Sequence, residues 1–277
     1  MKRLFILGRD ISYTLSPRIY NRLFAEKNID AQYIVIDVPT EQDAAKSMVE
    51  CRKDARCLGF NVTKPYKLLA YQHVDQLDEP ATRIGAINTV KRLATGELKG
   101  YNTDWLGVIE SLEKLDPPAK YDTLLLIGAG GAARATLYAL RSHVRRVYIV
   151  SKTGITAQYL AKEVRRWGLD AKGLKASSEA YARILPRADL LVNATPASTD
   201  TSAPIPRRVL DKYLHETTTV FDMVYKPLDT LLLQVARLKG CRVVDGLWML
   251  AHQARHNIRI WFGFEIDAEL LRSYALS

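Results

Sequence analysis

The segment Thr123-Leu-Leu-Leu-Ile-Gly128-Ala129-Gly130-Gly131-Ala132-Ala133-Arg134 carries the sharpest chemical signal in the chain. An apolar, strand-like run enters a glycine turn, and a helix-forming run opens at once. Gly128 permits the tight turn, and Gly130 lets the backbone approach a pyrophosphate whose charge faces the N–H groups of the helix start. Ala133 stands where a third glycine usually packs helix against strand. The same glycines also suit a turn that holds no ligand, so the strand–turn–helix context carries the expectation. About twenty residues on, an NAD-binding chain places an acid for the ribose 2′-hydroxyl. Here Ser151, Lys152 and Thr153 stand instead. A cation and two hydroxyls suit a 2′-phosphate, so the sequence predicts NADP over NAD.

Three further segments place polar side chains at the ends of expected elements. In Ser12-Tyr13-Thr14-Leu15-Ser16-Pro17, Ser16 before proline reads as a helix N-cap. A helix start flanked by two hydroxyls suits a small carboxylate, whereas plain capping accounts for Ser16 but not for Thr14. In Gly59-Phe60-Asn61-Val62-Thr63-Lys64-Pro65-Tyr66-Lys67 a strand ends and a helix begins at a proline, leaving Lys67 about one turn in. Taken alone, a lysine there is ordinary solvated surface. Gly85-Ala86-Ile87-Asn88-Thr89 and Gly100-Tyr101-Asn102-Thr103-Asp104 put Asn88 and Asp104 each at the end of an expected strand. His252 and His256 have helical spacing without the HExxH glutamate, so they read as helix surface, and no metal site is expected.

These residues must be positioned by alternating strands and helices. Apolar runs at Leu4–Leu7, Tyr33–Val38, Gly59–Val62 and Ala86–Val90 are separated by helical stretches at Pro17–Lys27 and Glu41–Arg52. A helix from Trp105 to Leu115, ending at Pro117–Pro118, precedes a second series at Thr123–Ile127, Val147–Val150, Asp189–Val192, Val220–Asp222 and Arg242–Val244. Leu247–Phe262 and the stretch from Ala268 read as C-terminal helices. The pattern predicts two α/β domains, with no internal repeat and no low-complexity segment.

Composition narrows the function classes. Of 277 residues, 48% are hydrophobic and 25% charged, a globular balance. No stretch approaches the roughly 20 apolar residues of a membrane span, and the apolar run Leu4–Leu7 is too short for a signal sequence. The net charge of +10 invites nucleic acid, but the Lys and Arg residues are scattered and no binding motif accompanies them. A basic surface that attracts anionic ligands is the expectation. Three cysteines without a CxxC indicate neither a disulfide framework nor a zinc site, and fit a reduced cytoplasm.

In their order and spacing, SxTxSP, GFNVTKPYK, GAINT, YNTD and GAGGAA resemble the shikimate dehydrogenases, from the first strand to the last helices. The resemblance implies a substrate domain over residues 1–104 and 247–277, and a Rossmann-like, doubly wound NADP-binding domain over residues 105–246. It also implies an active cleft at their junction. The implied activity is NADPH-dependent, reversible reduction of 3-dehydroshikimate to shikimate in aromatic amino-acid biosynthesis. The implied setting is a cytoplasmic monomer or homodimer, with no nucleic-acid partner and no membrane. Lys67 and Asp104 match the catalytic pair. Thr14 and Ser16 match the residues that hold the substrate carboxylate, and Thr63, Asn88, Gln253 and Tyr225 those that meet the rest of the substrate. Gly128, Ala129, Gly130, Gly131 and Ala132 match the pyrophosphate loop, Ser151, Lys152 and Thr153 the adenosine-phosphate patch, and Thr195, Met223 and Gly246 residues near the cofactor. Members usually carry Asn-Arg-Thr and a further basic residue where this chain has Ser151-Lys152-Thr153 and Thr156. A quinate/shikimate dehydrogenase with relaxed choice and a non-catalytic NADP-binding regulator are the alternatives.

Overall fold

The computed structural model describes residues 1–115, 120–196 and 203–277. Within these, the chain forms two compact units, residues 1–107 with 250–277, and residues 108–249. Pro117–Pro118, where the helix from Trp105 is expected to end, lie outside the described residues.

The first unit is built on a six-stranded sheet of β1 (Lys2–Gly8), β2 (Ala31–Asp37), β3 (Cys57–Val62), β4 (Gln76–Leu77), β5 (Thr89–Arg92) and β6 (Leu98–Tyr101). The order is β2-β1-β3-β5-β6-β4. β1 runs parallel to both β2 and β3, whereas β5 is antiparallel to β3 and β6. Leu4, Phe5, Ile6 and Leu7 are all buried, because a parallel strand covered on both faces needs a continuous apolar run. The register sets Leu7 beside Val62, Asn61 beside Thr89, and Thr89 beside Tyr101. One edge of the sheet therefore collects the ends of β1, β3 and β6 and the start of β5. Strand β5 begins at Thr89, so Asn88 precedes a strand instead of ending one.

Helices α1 (Ser16–Glu26), α2 (Glu41–Lys53), α3 (Lys67–His73), α4 (Glu79–Ile84) and α5 (Asp104–Glu113) follow strands of this sheet or connect them. Ser16 is not the N-cap of α1. Leu15 occupies that position, Ser16 is the first helical residue at 3% exposure, and its N–H donates to Thr14 Oγ1 at 3.4 Å. The hydroxyl at the helix entrance thus comes from Thr14. Asp104, likewise, opens α5 instead of closing a strand.

Cys51, near the end of α2, is joined to Cys57, at the start of β3, by a disulfide. This corrects the expectation of no disulfide. The turn between helix and strand brings the two Cα atoms to 5.4 Å, inside the range a disulfide spans. Both cysteines are buried in the apolar layer with Met48, Phe60, Tyr66 and Ala70.

In the second unit β7 (Tyr121–Ile127), β8 (Val144–Ser151), β9 (Asp170–Lys175), β10 (Leu190–Asn193), β11 (Thr219–Asp222) and β12 (Arg242–Asp245) run parallel in the order β12-β11-β10-β7-β8-β9. This is the doubly wound arrangement, with its switch point between β7 and β10. Helices α6 (Gly131–Leu140), α7 (Ile155–Val164), α8 (Ser178–Ile184), α9 (Arg207–Tyr213) and α10 (Leu231–Leu238) complete it. Strand β9, Asp-Ala-Lys-Gly-Leu-Lys, has no apolar run because it is an edge strand. Its Gly173 is required by close approach, since a Cβ there would meet the Ala157 backbone of α7 at 2.3 Å.

Helix α11 (Gly246–Phe262) buries Ala251, Gln253, Ala254, Asn257, Ile258 and Trp261, and α12 (Ala268–Leu276) closes the chain. Trp261 donates its indole N–H to Val90 O at 3.0 Å and packs near the rings of Tyr20 and Tyr33. So much of α11 is enclosed that His252, expected on the surface, is only 8% exposed. No described helix is long and apolar enough to cross a membrane.

The disulfide gives a first prediction. In denaturant without reductant, only Cys241 should react with a thiol reagent; after reduction all three cysteines should react. Reduction should lower unfolding stability by about 2 kcal/mol, the entropy of closing a short loop. Three reactive thiols in the unreduced, denatured chain would show that the bond is absent.

Candidate active site

Lys67 and Asp104 meet at the loop-bearing edge of the first sheet. Lys67 starts α3, just beyond β3, and Asp104 starts α5, just beyond β6. Lys67 Nζ lies 2.5 Å from Asp104 Oδ2, with the two side chains 16% and 6% exposed. An ion pair so enclosed is stable only when the remaining lone pairs are also satisfied. Here Asp104 Oδ1 accepts from Asn88 Nδ2 at 2.8 Å. Asn102 Oδ1 accepts the Asp104 N–H at 3.1 Å, and Asn102 Nδ2 donates to Ala86 O at 2.8 Å, which fixes the helix start.

Asn88 is the centre of this arrangement. Its Nδ2 also donates to Thr103 Oγ1 at 2.9 Å, and its Oδ1 accepts the Thr103 N–H at 2.7 Å. Gln253, from α11, brings its Oε1 to 3.4 Å from Asn88 Nδ2. Four of the expected residues, Lys67, Asn88, Asp104 and Gln253, are thereby joined in one hydrogen-bonded set. Behind them Asn61 donates to Asn88 O at 3.1 Å and to Thr89 Oγ1 at 3.0 Å, and accepts from Tyr33 at 2.6 Å.

Thr14 and Ser16 form a second polar point, in the segment from the end of β1 into α1. The Thr14 hydroxyl donates to Ser16 Oγ at 3.3 Å. Thr63 is half-buried after β3, its N–H donating to Leu7 O at 2.9 Å, so it shares the sheet edge with that segment. Tyr225 belongs to the second unit, half-buried in the loop after β11.

In the second unit the cofactor-type residues lie at or just beyond the carboxyl ends of strands, where doubly wound sheets bind ligands. Gly128, at φ +110°, turns out of β7 against Ala194 and Thr195, which follow β10 across the switch point. A Cβ on Gly130 would meet nothing within 4 Å, so the backbone is open there, and no side chain caps α6. Gly131 and Ala132 open α6 and Ala129 precedes it in the loop, so backbone N–H groups and the positive helix end face the same opening. This cradle fits a pyrophosphate. Thr195 is tied by its hydroxyl to Asn193 Oδ1 at 2.6 Å, and Met223 and Gly246 touch, since a Cβ on Gly246 would lie 2.2 Å from Met223 O. Asp222, which sequence reasoning did not single out, holds these loops. It accepts from Asn193 at 2.9 Å, Val224 N–H at 3.1 Å and Thr230 at 2.7 Å. Burial raises its pKa, against the lowering effect of those donors.

The adenosine-phosphate patch divides in two. Lys152 and Thr153 are exposed beyond β8, free to meet an anion. Ser151 is half-occupied with structure, since its Oγ accepts from Thr156 at 3.0 Å and from the Ala157 N–H at 3.2 Å.

The family of shikimate dehydrogenase substrate binding domains matches residues 6–90. A shikimate dehydrogenase (NADP(+)) of Aeropyrum pernix is 40% identical over 100% of this chain and 97% of its own. The Thermus thermophilus shikimate 5-dehydrogenase in complex with NADP(H) and shikimate has a TM-score of 0.84 and 34% identity, covering 100% of this chain and 99% of that one. A quinate dehydrogenase from Corynebacterium glutamicum, in complex with NAD, has a TM-score of 0.87 and 29% identity, over 99% and 98% of the two chains.

Because Ser151 serves the first turn of α7, Ser151→Ala should cost about 1 kcal/mol of stability, the worth of a lost cap. Urea unfolding of the variant measures it, and an unchanged midpoint would leave the Ser151 hydroxyl without a structural role.

Proposed function

The chain belongs to the shikimate dehydrogenase family, and from that premise we propose that it reduces 3-dehydroshikimate reversibly to shikimate with NADPH. The observation that carries this reading is the enclosed contact of Lys67 Nζ with Asp104 Oδ2 at 2.5 Å, with Asn88 holding the other carboxylate oxygen. When bound, the cofactor supplies or receives the hydride. Gly128 to Ala132 would hold its pyrophosphate, Lys152 and Thr153 its 2′-phosphate, with Thr195, Met223 and Gly246 near the rest.

Charge grows on the ketone oxygen as it is reduced, so a proton donor must stand within hydrogen-bond reach. Lys67 gives that proton from Nζ and, in the reverse direction, takes it from the hydroxyl. With 16% of its side chain exposed, Lys67 can exchange the proton with water. Asp104 holds the ammonium in place and accepts from the same substrate hydroxyl. Both Asn88 N–H groups are already engaged by Thr103 and Asp104, so Asn88 acts chiefly by fixing Asp104. Thr14 and Ser16 hold the substrate carboxylate, Thr63 and Gln253 its ring hydroxyls, and Tyr225 also meets the substrate. Dependence on NADPH, an intracellular reductant, is the ground for a cytoplasmic setting. The disulfide removes cysteine sparsity as a second ground. A monomer or homodimer is the expected assembly.

The test is oxidation of NADPH on adding 3-dehydroshikimate to the purified protein. Saturable turnover is expected, and its absence would overturn the reading. The likeness to a quinate dehydrogenase makes quinate the substrate to run beside shikimate; faster oxidation of quinate would move the assignment to that branch.

Two variants probe the chemistry. Lys67→Ala should lower kcat by roughly 10²- to 10⁴-fold in the folded variant, and should lower the unfolding midpoint as well because Asp104 loses its partner. A near-normal kcat would remove Lys67 from proton transfer. NADP should be preferred to NAD in kcat/KM by roughly 10- to 150-fold, the worth of one charged hydrogen bond. Lys152→Ala should erode that preference through the NADP KM alone. Equal use of both cofactors by the parent enzyme would contradict the role given to Lys152.

A further inference from the structure

A ribose 2′-phosphate carries roughly two negative charges at neutral pH, and a single lysine balances one of them. In the loop after β8 only Lys152 offers a cation, since Ser151 and Thr153 are neutral and Thr156 Oγ1 is bonded to Ser151 Oγ at 3.0 Å. The neighbouring edge strand supplies a second cation. β9 ends at Lys175, a residue that no motif marks.

Strand register decides where Lys175 stands. Ser151 and Lys175 are partners across β8 and β9, so their side chains leave the same face of the sheet. That face is the one α7 covers. Ser151 Oγ accepts the Ala157 N–H of α7 at 3.2 Å. Gly173, one pleat before Lys175 on the same face, lies so close to α7 that a Cβ there would meet the Ala157 backbone at 2.3 Å. Lys175 therefore stands one pleat further on, at the start of α7. Gly154, the N-cap of α7 at φ +82°, packs onto it, and a Cβ on Gly154 would meet Lys175 Cβ and N at 3.0 Å. Lys152 and Lys175 thus stem from the carboxyl ends of adjacent strands, which lie about 4.8 Å apart in a sheet, and flank one short loop. Both are exposed, and among the described residues neither is held by a carboxylate. The first turn of α7 contains no acid. Glu179, the acid nearest to Lys175 along the chain, is held below its usual pKa by its own backbone N–H, the Ser177 hydroxyl and the charge of Arg208, not by Lys175. We propose that Lys175 is a specificity-determining residue for the cofactor: with Lys152 it brackets the 2′-phosphate, so that cations from two neighbouring strands meet the group that distinguishes NADP from NAD. This rests on the cofactor reading above.

Binding tests this without turnover. Titrating the purified protein with NADPH and with NADH, followed by the fluorescence of the bound nicotinamide, gives both dissociation constants. Lys175→Met keeps the aliphatic stem against Gly154 and removes only the charge. Its NADPH Kd should rise by roughly 5-fold, the upper end for an exposed charge pair, while its NADH Kd moves by less than about 1.5-fold. Raising the salt concentration should narrow the gap between parent and variant. Lys175→Arg should retain the parental NADPH affinity. Lys175→Glu, which sets a like charge beside the phosphate, should bind NADPH more weakly than Lys175→Met.

Combining the two lysines completes the test. Lys152→Met should keep part of the NADPH preference, and Lys152→Met with Lys175→Met should bind NADPH and NADH within about 3-fold of each other. A Lys175→Met variant with parental NADPH affinity, or one that loses NADPH and NADH alike, would overturn the role of Lys175 while leaving the cofactor reading intact. A parent protein that binds NADH as tightly as NADPH would overturn the 2′-phosphate reading itself, and this proposal with it.

Discussion

Asn88 is 3% exposed, so its amide must find its hydrogen bonds inside the protein, and the way it does so orders everything around it. One N–H goes to Asp104 and the other to Thr103, while the oxygen takes the Thr103 backbone. Asp104 is then left with one oxygen to offer, and Lys67 fills it. Were Asn88 replaced by an apolar residue, a nearly buried carboxylate would lose a partner at one oxygen, a costly state in a low-dielectric site. The position of the lysine proton thus depends on an amide that need not itself react.

The sheet makes that amide available. β5 runs antiparallel between β3 and β6, so its start lies at the same edge as their carboxyl ends. An all-parallel sheet would have sent Asn88 to the opposite edge. The second sheet has no such inversion. All six of its strands run parallel, so their loops gather at one edge and form a backbone cradle suited to an extended anionic ligand. Asp222 does for those loops what Asn88 does for the first unit. It is a buried polar group whose bonds to Asn193, Val224 and Thr230 hold strand ends in register with each other.

Much of this was legible in the sequence where residue type and local geometry coincide. The glycine turn after Thr123–Ile127 opens a helix as its pattern implied, and the long apolar strands formed where expected. Short elements were not legible: β4 has two residues, and α4 has six, too few to show a period. Asn257 and Tyr20 were invisible for another reason. Each reads as an ordinary helix residue, and their bonds reach far along the chain, Asn257 to Thr89 across 168 positions and to Tyr20 across 237. Ser16 misled because a serine before proline signals a cap, whereas no side chain caps α1 and Ser16 is its first residue, with its N–H donating to Thr14. The disulfide was missed because spacing alone cannot show that a turn returns Cys57 to Cys51.

The central claim is that Lys67 and Asp104 converge on one substrate oxygen, with Asn88 holding the carboxylate in place. A crystal structure of the protein with bound shikimate tests it most directly. The account predicts one ring hydroxyl within about 3 Å of both Lys67 Nζ and Asp104, with the Asn88–Asp104 bond retained. Shikimate bound with its hydroxyls away from both side chains, or Asp104 released from Asn88 to reach it, would contradict the account.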